Sequence, residues 1–220
     1  ALRINKEKGV WYFPKIGYDR YLELQDTVVR KKLGLPRDRL GWKKLSDKNV
    51  KKSSQNDWIT YVAIISTSEN ETVVSNGTLQ KKWKEGGRQY FHYKSDTIIP
   101  NSIAIVSGNF ERHIKKVNGI TLNVFYHKKH SKNIDLITEG LVISLNNGIE
   151  NELTYKHQSL NVVEIPNYHR NLGNAYAMPT LILWNEDGGF LNNQHENKNE
   201  VNKVLSTAVH EASHQWWPHT

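Results

Sequence analysis

The stretch VNKVLSTAVHEASHQWW, residues 201–217, combines the pattern of an amphipathic helix with the pattern of a metal ligand pair. Apolar residues recur at steps of three and four, at Val201, Val204, Leu205, Ala208, Val209 and Ala212. This spacing predicts a helix with one face in a core, starting near Asn199, and Asn197 or Asn199 is expected to cap it. His210 and His214 are four residues apart, so they lie on one face of that helix, about one turn apart.

The two histidines and the residue between them give H-E-x-x-H, an arrangement typical of zinc peptidases. Two imidazoles one turn apart can share one Zn²⁺ ion. Glu211 is then placed beside the open coordination position, where a carboxylate acts as a general base. We therefore predict His210 and His214 as metal ligands and Glu211 as the catalytic residue.

Composition limits the other classes of function. The chain has 220 residues, 37% of them hydrophobic, with seven Trp and ten Tyr, which is typical of a globular protein. It has no cysteine, so disulfides and thiolate metal sites are excluded. The formal net charge is +8, but the lysines fall in scattered pairs without an aromatic-basic recognition motif, so we expect no nucleic-acid partner.

No apolar run is long enough to span a membrane, so we expect the chain itself to be soluble. Any association with a membrane is expected to come from other parts of a parent protein. Any targeting segment is expected to have been removed or to lie upstream of Ala1, so the cellular location is not assigned.

Upstream of the histidine helix, residues 58–126 show the alternation and turn signals of antiparallel strands. Residues 58–66 and 102–107 are predicted strands, and hairpins are predicted around residues 75–77, around Gly86-Gly87 and, most strongly, around Asn118-Gly119. Before this region, residues 1–55 are irregular, with one helix predicted over residues 22–33.

After Lys132 the apolar period changes from two to about 3.6. A helix is predicted over residues 134–149, with Asn133 as its cap, followed by a strand over 159–165 and another over 177–184. The pattern of strands first and mixed elements later predicts an α+β fold.

The sequence from residue 58 to 217 resembles the aminopeptidase N family of gluzincin zinc metallopeptidases. The motif H-E-x-x-H-Q-W is matched by residues 210–216, and the passage from Gly108-Asn109-Phe110-Glu111 to the strand ending at Pro166 is also similar. Residues 11–40 resemble a bacterial branch in which the peptidase is fused to a transporter-permease-like membrane region. The resemblance implies a β-saddle-like domain within residues 1–112 and the first part of a thermolysin-like catalytic domain within residues 113–220.

The resemblance also implies a peptide substrate, a zinc cofactor and further site residues. Ala177 and Met178 correspond to a segment that binds the substrate, but Pro179 and Thr180 replace its Glu and Asn, so strict aminopeptidase specificity is not implied. Glu186 or Asp187 is a candidate substitute for the missing carboxylate, although an ordinary solvated loop is an open alternative. The strand over residues 177–183 is the expected edge for an extended peptide.

The family's third zinc ligand, a Glu, would lie beyond Thr220, so we expect the 220 residues to be a fragment that ends just after the metal helix. A site with two protein ligands is expected to bind zinc weakly and to be inactive by itself. The alternative is a non-catalytic, peptidase-like binding or assembly module of a transporter-associated protein, which Pro179 favours.

Overall fold

The computed structural model describes residues 24–37, 58–167, 174–193 and 202–217, together with the backbone of three short strands near the start of the chain. Antiparallel sheets fill the first part, and a mixed sheet covered by two helices fills the second, which confirms the predicted α+β class. The division at residue 112 stays a prediction.

The first part begins with β1 Arg3–Ile4, β2 Lys6–Glu7, β3 Val10–Trp11 and helix α1 Thr27–Lys32. The α1 helix is shorter than predicted because Asp26 caps it: the Asp26 side chain accepts hydrogen bonds from the backbone N–H groups of Val28 and Val29. Residues 22 and 23 lie outside the described residues.

Seven strands follow: β4 Trp58–Ile59, β5 Val62–Ser68, β6 Thr72–Ser75, β7 Thr78–Glu85, β8 Arg88–Lys94, β9 Ile99–Pro100 and β10 Ile105–Gly108. They form sheets of order β5-β8-β7, β1-β10-β6 and β4-β9. The predicted strand over 58–66 is thus two strands in different sheets, and the strand predicted at 102–107 is β10, which starts three residues later. Phe91 and Tyr93 of β8 contribute buried rings to the core of this part, together with Tyr61.

Two hairpins were predicted here, and one of them is wrong. The Gly86-Gly87 hairpin is confirmed, since Glu85 of β7 pairs with Arg88 of β8. The hairpin around residues 75–77 is wrong, because β6 pairs with β10 and β7 pairs with β8. Gly77 instead carries the chain from one sheet to the next at φ +80°, and a Cβ there would lie 2.5 Å from the carbonyl oxygen of Lys94.

The second part is built on a five-stranded sheet of order β11-β12-β13-β15-β14. Its strands are β11 Glu111–Val117, β12 Ile120–Tyr126, β13 Ser159–Ile165, β14 Ala175–Met178 and β15 Leu181–Asn185. The hairpin at Asn118-Gly119 is confirmed, with both residues at positive φ, and β13 ends before Pro166 as predicted. The strands β12, β13 and β15 run parallel, and β14 runs antiparallel at the edge.

The strand predicted over residues 177–184 is wrong: these residues form a hairpin of β14 and β15. Met178 pairs with Leu181 across the turn formed by Pro179 and Thr180, and Thr180 takes φ +62°. Proline lacks an N–H for a ladder, so the apolar run breaks there. The edge of the sheet is therefore β14. Of the predicted edge, residues 177 and 178 lie on β14, whereas residues 181–183 belong to the interior strand β15.

Helices α2 Ile134–Glu150 and α3 Lys203–Ser213 cover one face of this sheet. Asn133 occupies the cap position of α2, but its side chain does not cap the helix and donates to the carbonyl oxygens of Gly189 and Asn192. The other face packs on β6 and β10 through a second buried cluster. Among the described helices, none is both long and apolar enough to cross a membrane.

Candidate functional site

The helix α3 carries the H-E-x-x-H residues, and its start is fixed by Asn202. The Asn202 side chain accepts hydrogen bonds from the backbone N–H groups of Val204 and Leu205. The predicted start near Asn199 is therefore too early, and both predicted caps, Asn197 and Asn199, lie outside the described residues. The apolar face of α3 is buried at Val204, Ala208 and Ala212, as predicted. Packing of this face fixes the rotation of the helix about its axis and so places the histidines on the opposite side.

The two imidazoles converge on one point. The Nε2 atoms of His210 and His214 lie 3.1 Å apart. Two nitrogens bound to one tetrahedral zinc ion at about 2.0–2.1 Å are about 3.3 Å apart, so the pair fits a shared ion with little movement. His210 is exposed and His214 is partly buried, so the pair faces solvent on one side.

His214 is also oriented by its second ring nitrogen. Its Nδ1 lies 2.9 Å from the backbone carbonyl oxygen of Trp217, which can only accept a hydrogen bond. Nδ1 therefore carries the proton in the neutral ring, and Nε2 keeps a lone pair. Such outer contacts fix the tautomer and the orientation of histidine ligands.

Glu211 lies between the histidines in sequence but is buried, with 7% of its surface exposed. Its Oε2 atom has no hydrogen-bond partner among the described residues. Burial raises the pKa of this carboxyl above its ordinary value, while the two neighbouring imidazoles lower it by less. The backbone amide of Ala177, in β14, also lowers this pKa, so Glu211 lies against the edge strand.

Glu211 is not a third ligand beside the histidines. Within the described ranges, the only group of three His or acidic residues whose ligand atoms all lie within 4.8 Å of one another is His130, Glu164 and Glu186. The Glu211 carboxylate is therefore farther than this from at least one imidazole. Its position suits a base that acts on a neighbouring molecule more than it suits coordination.

Gln215 joins the end of α3 to the β14–β15 hairpin. Its amide oxygen accepts from the backbone N–H of Thr180 at 2.8 Å, and its amide nitrogen donates to the carbonyl oxygen of Met178 at 3.0 Å. The residue after the second histidine thus holds the edge strand at a fixed position against α3. The sequence indicates Gln215 only as part of the H-Q-W match, because its hydrogen-bond partners come together only once the turn at residues 179 and 180 has formed.

The predicted substrate-binding residues are not all brought to this site. Ala177 lies beside Glu211 on the edge strand. Met178 is next to it, but its side chain is buried between the sheets. Glu186 follows β15 at its opposite end, where its carboxylate accepts from the backbone N–H of Asn167 and lies near His130 and Glu164.

No family model matches this sequence, and none of the curated proteins matches it. Solved structures do match, among them the crystal structure of Legionella pneumophila aminopeptidase A in complex with aspartic acid. The TM-score is 0.63 at 20% sequence identity, and the match covers 72% of this chain and 20% of that chain. The chain therefore shares its fold with part of that aminopeptidase and spans 20% of the length of that chain.

Proposed function

We propose that this chain is part of a zinc-dependent peptidase of the aminopeptidase N type. The observation that carries the proposal is the convergence of the His210 and His214 Nε2 atoms at 3.1 Å, one turn apart on a packed helix. Unrelated histidines on a surface helix need not bring two ring nitrogens together, whereas two ligands of one zinc ion must do so. The similarity of the fold to part of a solved aminopeptidase also supports this proposal.

In this proposal His210 and His214 hold Zn²⁺ as neutral imidazoles, and the third protein ligand comes from outside residues 1–220. When bound, zinc supplies Lewis-acid chemistry: it makes water nucleophilic near neutral pH and polarises a carbonyl group. Glu211 takes a proton from the attacking water and passes it to the leaving amine. Its unpartnered Oε2 leaves a lone pair for that proton.

The edge strand β14 is the proposed binding surface for the peptide. The carbonyl oxygen of Asn174 accepts from Asn185 of β15, and alternate residues of an antiparallel pair hydrogen bond to the partner strand. Ala175 and Ala177 therefore direct their backbone groups away from β15. A peptide that adds to this edge in an extended conformation runs past Glu211.

A non-catalytic peptidase-like module is the second candidate, and the turn at residues 179 and 180 favours it. The carbonyl oxygen of Pro179 accepts from Asn76 Nδ2, and Thr180 Oγ1 accepts from the backbone N–H of Gly77, both at 2.6 Å. These two positions hold the hairpin against the first part of the chain. They offer no carboxylate for a substrate amine.

Hydrolysis assays on the full-length protein separate the two candidates. Peptidase function predicts cleavage of aminoacyl and peptide reporters, loss of cleavage on chelation, and recovery on addition of Zn²⁺. Glu139→Gln is the matched control for the Glu211→Gln variant, because Glu139 is an exposed glutamate on α2. A wild-type protein that binds peptides but never cleaves them would support the module instead.

A further inference from the structure

Three side chains of metal-ligand type meet at the ends of three parallel strands. His130 follows β12, Glu164 lies near the end of β13, and Glu186 comes directly after β15. Their ligand atoms all lie within 4.8 Å of one another. The space outside the carboxyl ends of parallel strands is where such sheets commonly bind ligands.

The backbone orients both carboxylates of this group. The N–H of His127 donates to Glu164 Oε2 at 2.7 Å, and the N–H of Asn167 donates to Glu186 Oε1 at 3.1 Å. One oxygen of each carboxylate is therefore held by the backbone, and the other oxygen faces the remaining members of the group. Metal ligands are typically fixed in this way by outer hydrogen bonds.

The turn after β12 brings the imidazole to the same place. It is closed by a hydrogen bond of 2.7 Å from the N–H of His130 to the carbonyl oxygen of His127. The His130 Nδ1 atom contacts Glu164 Oε1. The His130 side chain is 20% exposed and that of Glu164 is 5% exposed, so the group is largely shielded from water.

Charge and donor type indicate what this group accepts. Two carboxylates this close repel each other when they are shielded from solvent, and one divalent cation offsets both charges. One imidazole with two carboxylates suits first-row transition metals, whereas Ca²⁺ and Mg²⁺ prefer oxygen ligands alone. Ligands of one such ion lie at most about 4.2 Å apart. The ligand atoms of this group lie within 4.8 Å of one another, so an ion requires only small side-chain shifts, among them the separation of His130 Nδ1 from Glu164 Oε1.

We propose that His130, Glu164 and Glu186 form a second metal site for a divalent transition metal such as Zn²⁺ or Mn²⁺, separate from the histidine pair on α3. Ala177, beside Glu211, pairs with Ile182, and Glu186 is four residues further along, about 13 Å away. Metals that act together in one centre are about 4 Å apart, so this ion is not a partner of the first. It joins the ends of β12, β13 and β15.

Titration calorimetry of the 220-residue chain carrying His210→Ala and His214→Ala tests this site alone, with Zn²⁺, Mn²⁺ and Ca²⁺ as probes. We expect one equivalent of Zn²⁺ or Mn²⁺ to bind, no binding of Ca²⁺, and a Zn²⁺-dependent rise in Tm. In the same background, Glu186→Gln and His130→Gln each weaken affinity by at least about tenfold and abolish the rise in Tm.

Glu150→Gln and His92→Gln are the matched controls, because both residues lie away from the group. Circular dichroism without metal checks folding, and Glu186→Gln is the main variant because Glu186 is only partly buried. Absence of Zn²⁺ and Mn²⁺ binding overturns the proposal and leaves His130 and Glu164 as an ordinary ion pair. Binding that is unchanged in both Glu186→Gln and His130→Gln overturns it as well.

Discussion

Gln215 donates a hydrogen bond from its side-chain amide to the backbone carbonyl of Met178 at 3.0 Å, so α3 and the edge strand β14 are joined at the residue that follows the second histidine. The same side chain accepts from the N–H of Thr180, a fully buried residue. Gln215 therefore helps to set the distance between Glu211 and the proposed peptide edge, together with the contact of Glu211 with the backbone amide of Ala177.

Replacing Gln215 by Ala should reduce the free energy of unfolding by about 1–3 kcal/mol, because it leaves a buried N–H and a carbonyl without their partner. Urea denaturation of the 220-residue chain measures this. Gln80→Ala is the matched control, since Gln80 makes one exposed hydrogen bond to the backbone of Thr78. If both substitutions changed the free energy of unfolding equally, the Gln215 contacts would add nothing to the stability of the fold.

Gly140→Ala should destabilise the pair of helices that carries the site. A Cβ at Gly140 would lie 2.4 Å from the Cβ of Ala208 on α3 and 2.9 Å from the carbonyl oxygen of Leu205. Overpacking of this kind costs about 1–3 kcal/mol, which exceeds the helix propensity of about 1 kcal/mol that Ala gains over Gly.

The matched control for Gly140→Ala is Asn147→Ala, at an exposed position of the same helix. Thermal denaturation should show a lower Tm for Gly140→Ala and little change for the control. A Gly140→Ala chain as stable as wild type would mean that α2 and α3 do not pack this closely.

The sequence predicted well those elements whose signals are local. The Asn118-Gly119 hairpin needs two residues at positive φ, the burial of α2 follows its 3.6-residue period, and the strand after Ser159 ends at Pro166. The prediction of the histidine pair also depended only on a helix, because a four-residue spacing in a helix puts both rings on one face.

What the sequence missed depends on long-range contacts. Asn76-Gly77 has the signature of a hairpin turn, yet Asn76 bonds Pro179 and Gly77 bonds Thr180, so the turn connects two sheets. The run over 177–184 is continuously apolar because both halves of its hairpin are buried, which hides the turn. Glu186 looked like a neighbour of the peptide edge, but β15 carries it to the opposite end of the sheet.

Glu71 should give the chain an acid-sensitive part of its stability. Its carboxylate accepts from the hydroxyl groups of Thr67 on β5 and Ser107 on β10. The hydrogen bond from Thr67 is the main cause that lowers its pKa from 4.5 to about 2. A lowered pKa in the folded state stabilises the fold above pH 4.5, and that stabilisation is lost as the pH falls from 4.5 toward 2.

Glu71→Gln therefore should be less stable than wild type near neutral pH, and the difference should shrink below pH 4.5. Chemical denaturation at a series of pH values measures the difference, with the exposed Glu69→Gln as control. A difference that stays constant from pH 7 to pH 2 would contradict the assigned role of the ionised carboxylate.

Peptides with a blocked amino terminus should be cleaved by the full-length protein almost as well as free ones. Pro179 and Thr180 supply no carboxylate, and Glu186 lies with His130 and Glu164. Without a buried group that must pair with the amine, the kcat/KM values of free and blocked peptides should differ by no more than about tenfold. Matched free and N-acetylated peptides test this, and a preference of a thousandfold or more for the free amine would contradict it.

The proposed role of Glu211 as the general base of a zinc peptidase is tested by the Glu211→Gln variant of the full-length protein. Loss of a general base should lower kcat by about 10²–10⁴-fold while zinc content, measured by elemental analysis, stays at the wild-type level. The Glu139→Gln control should keep wild-type activity. Unchanged hydrolysis by the zinc-loaded Glu211→Gln protein would contradict the account.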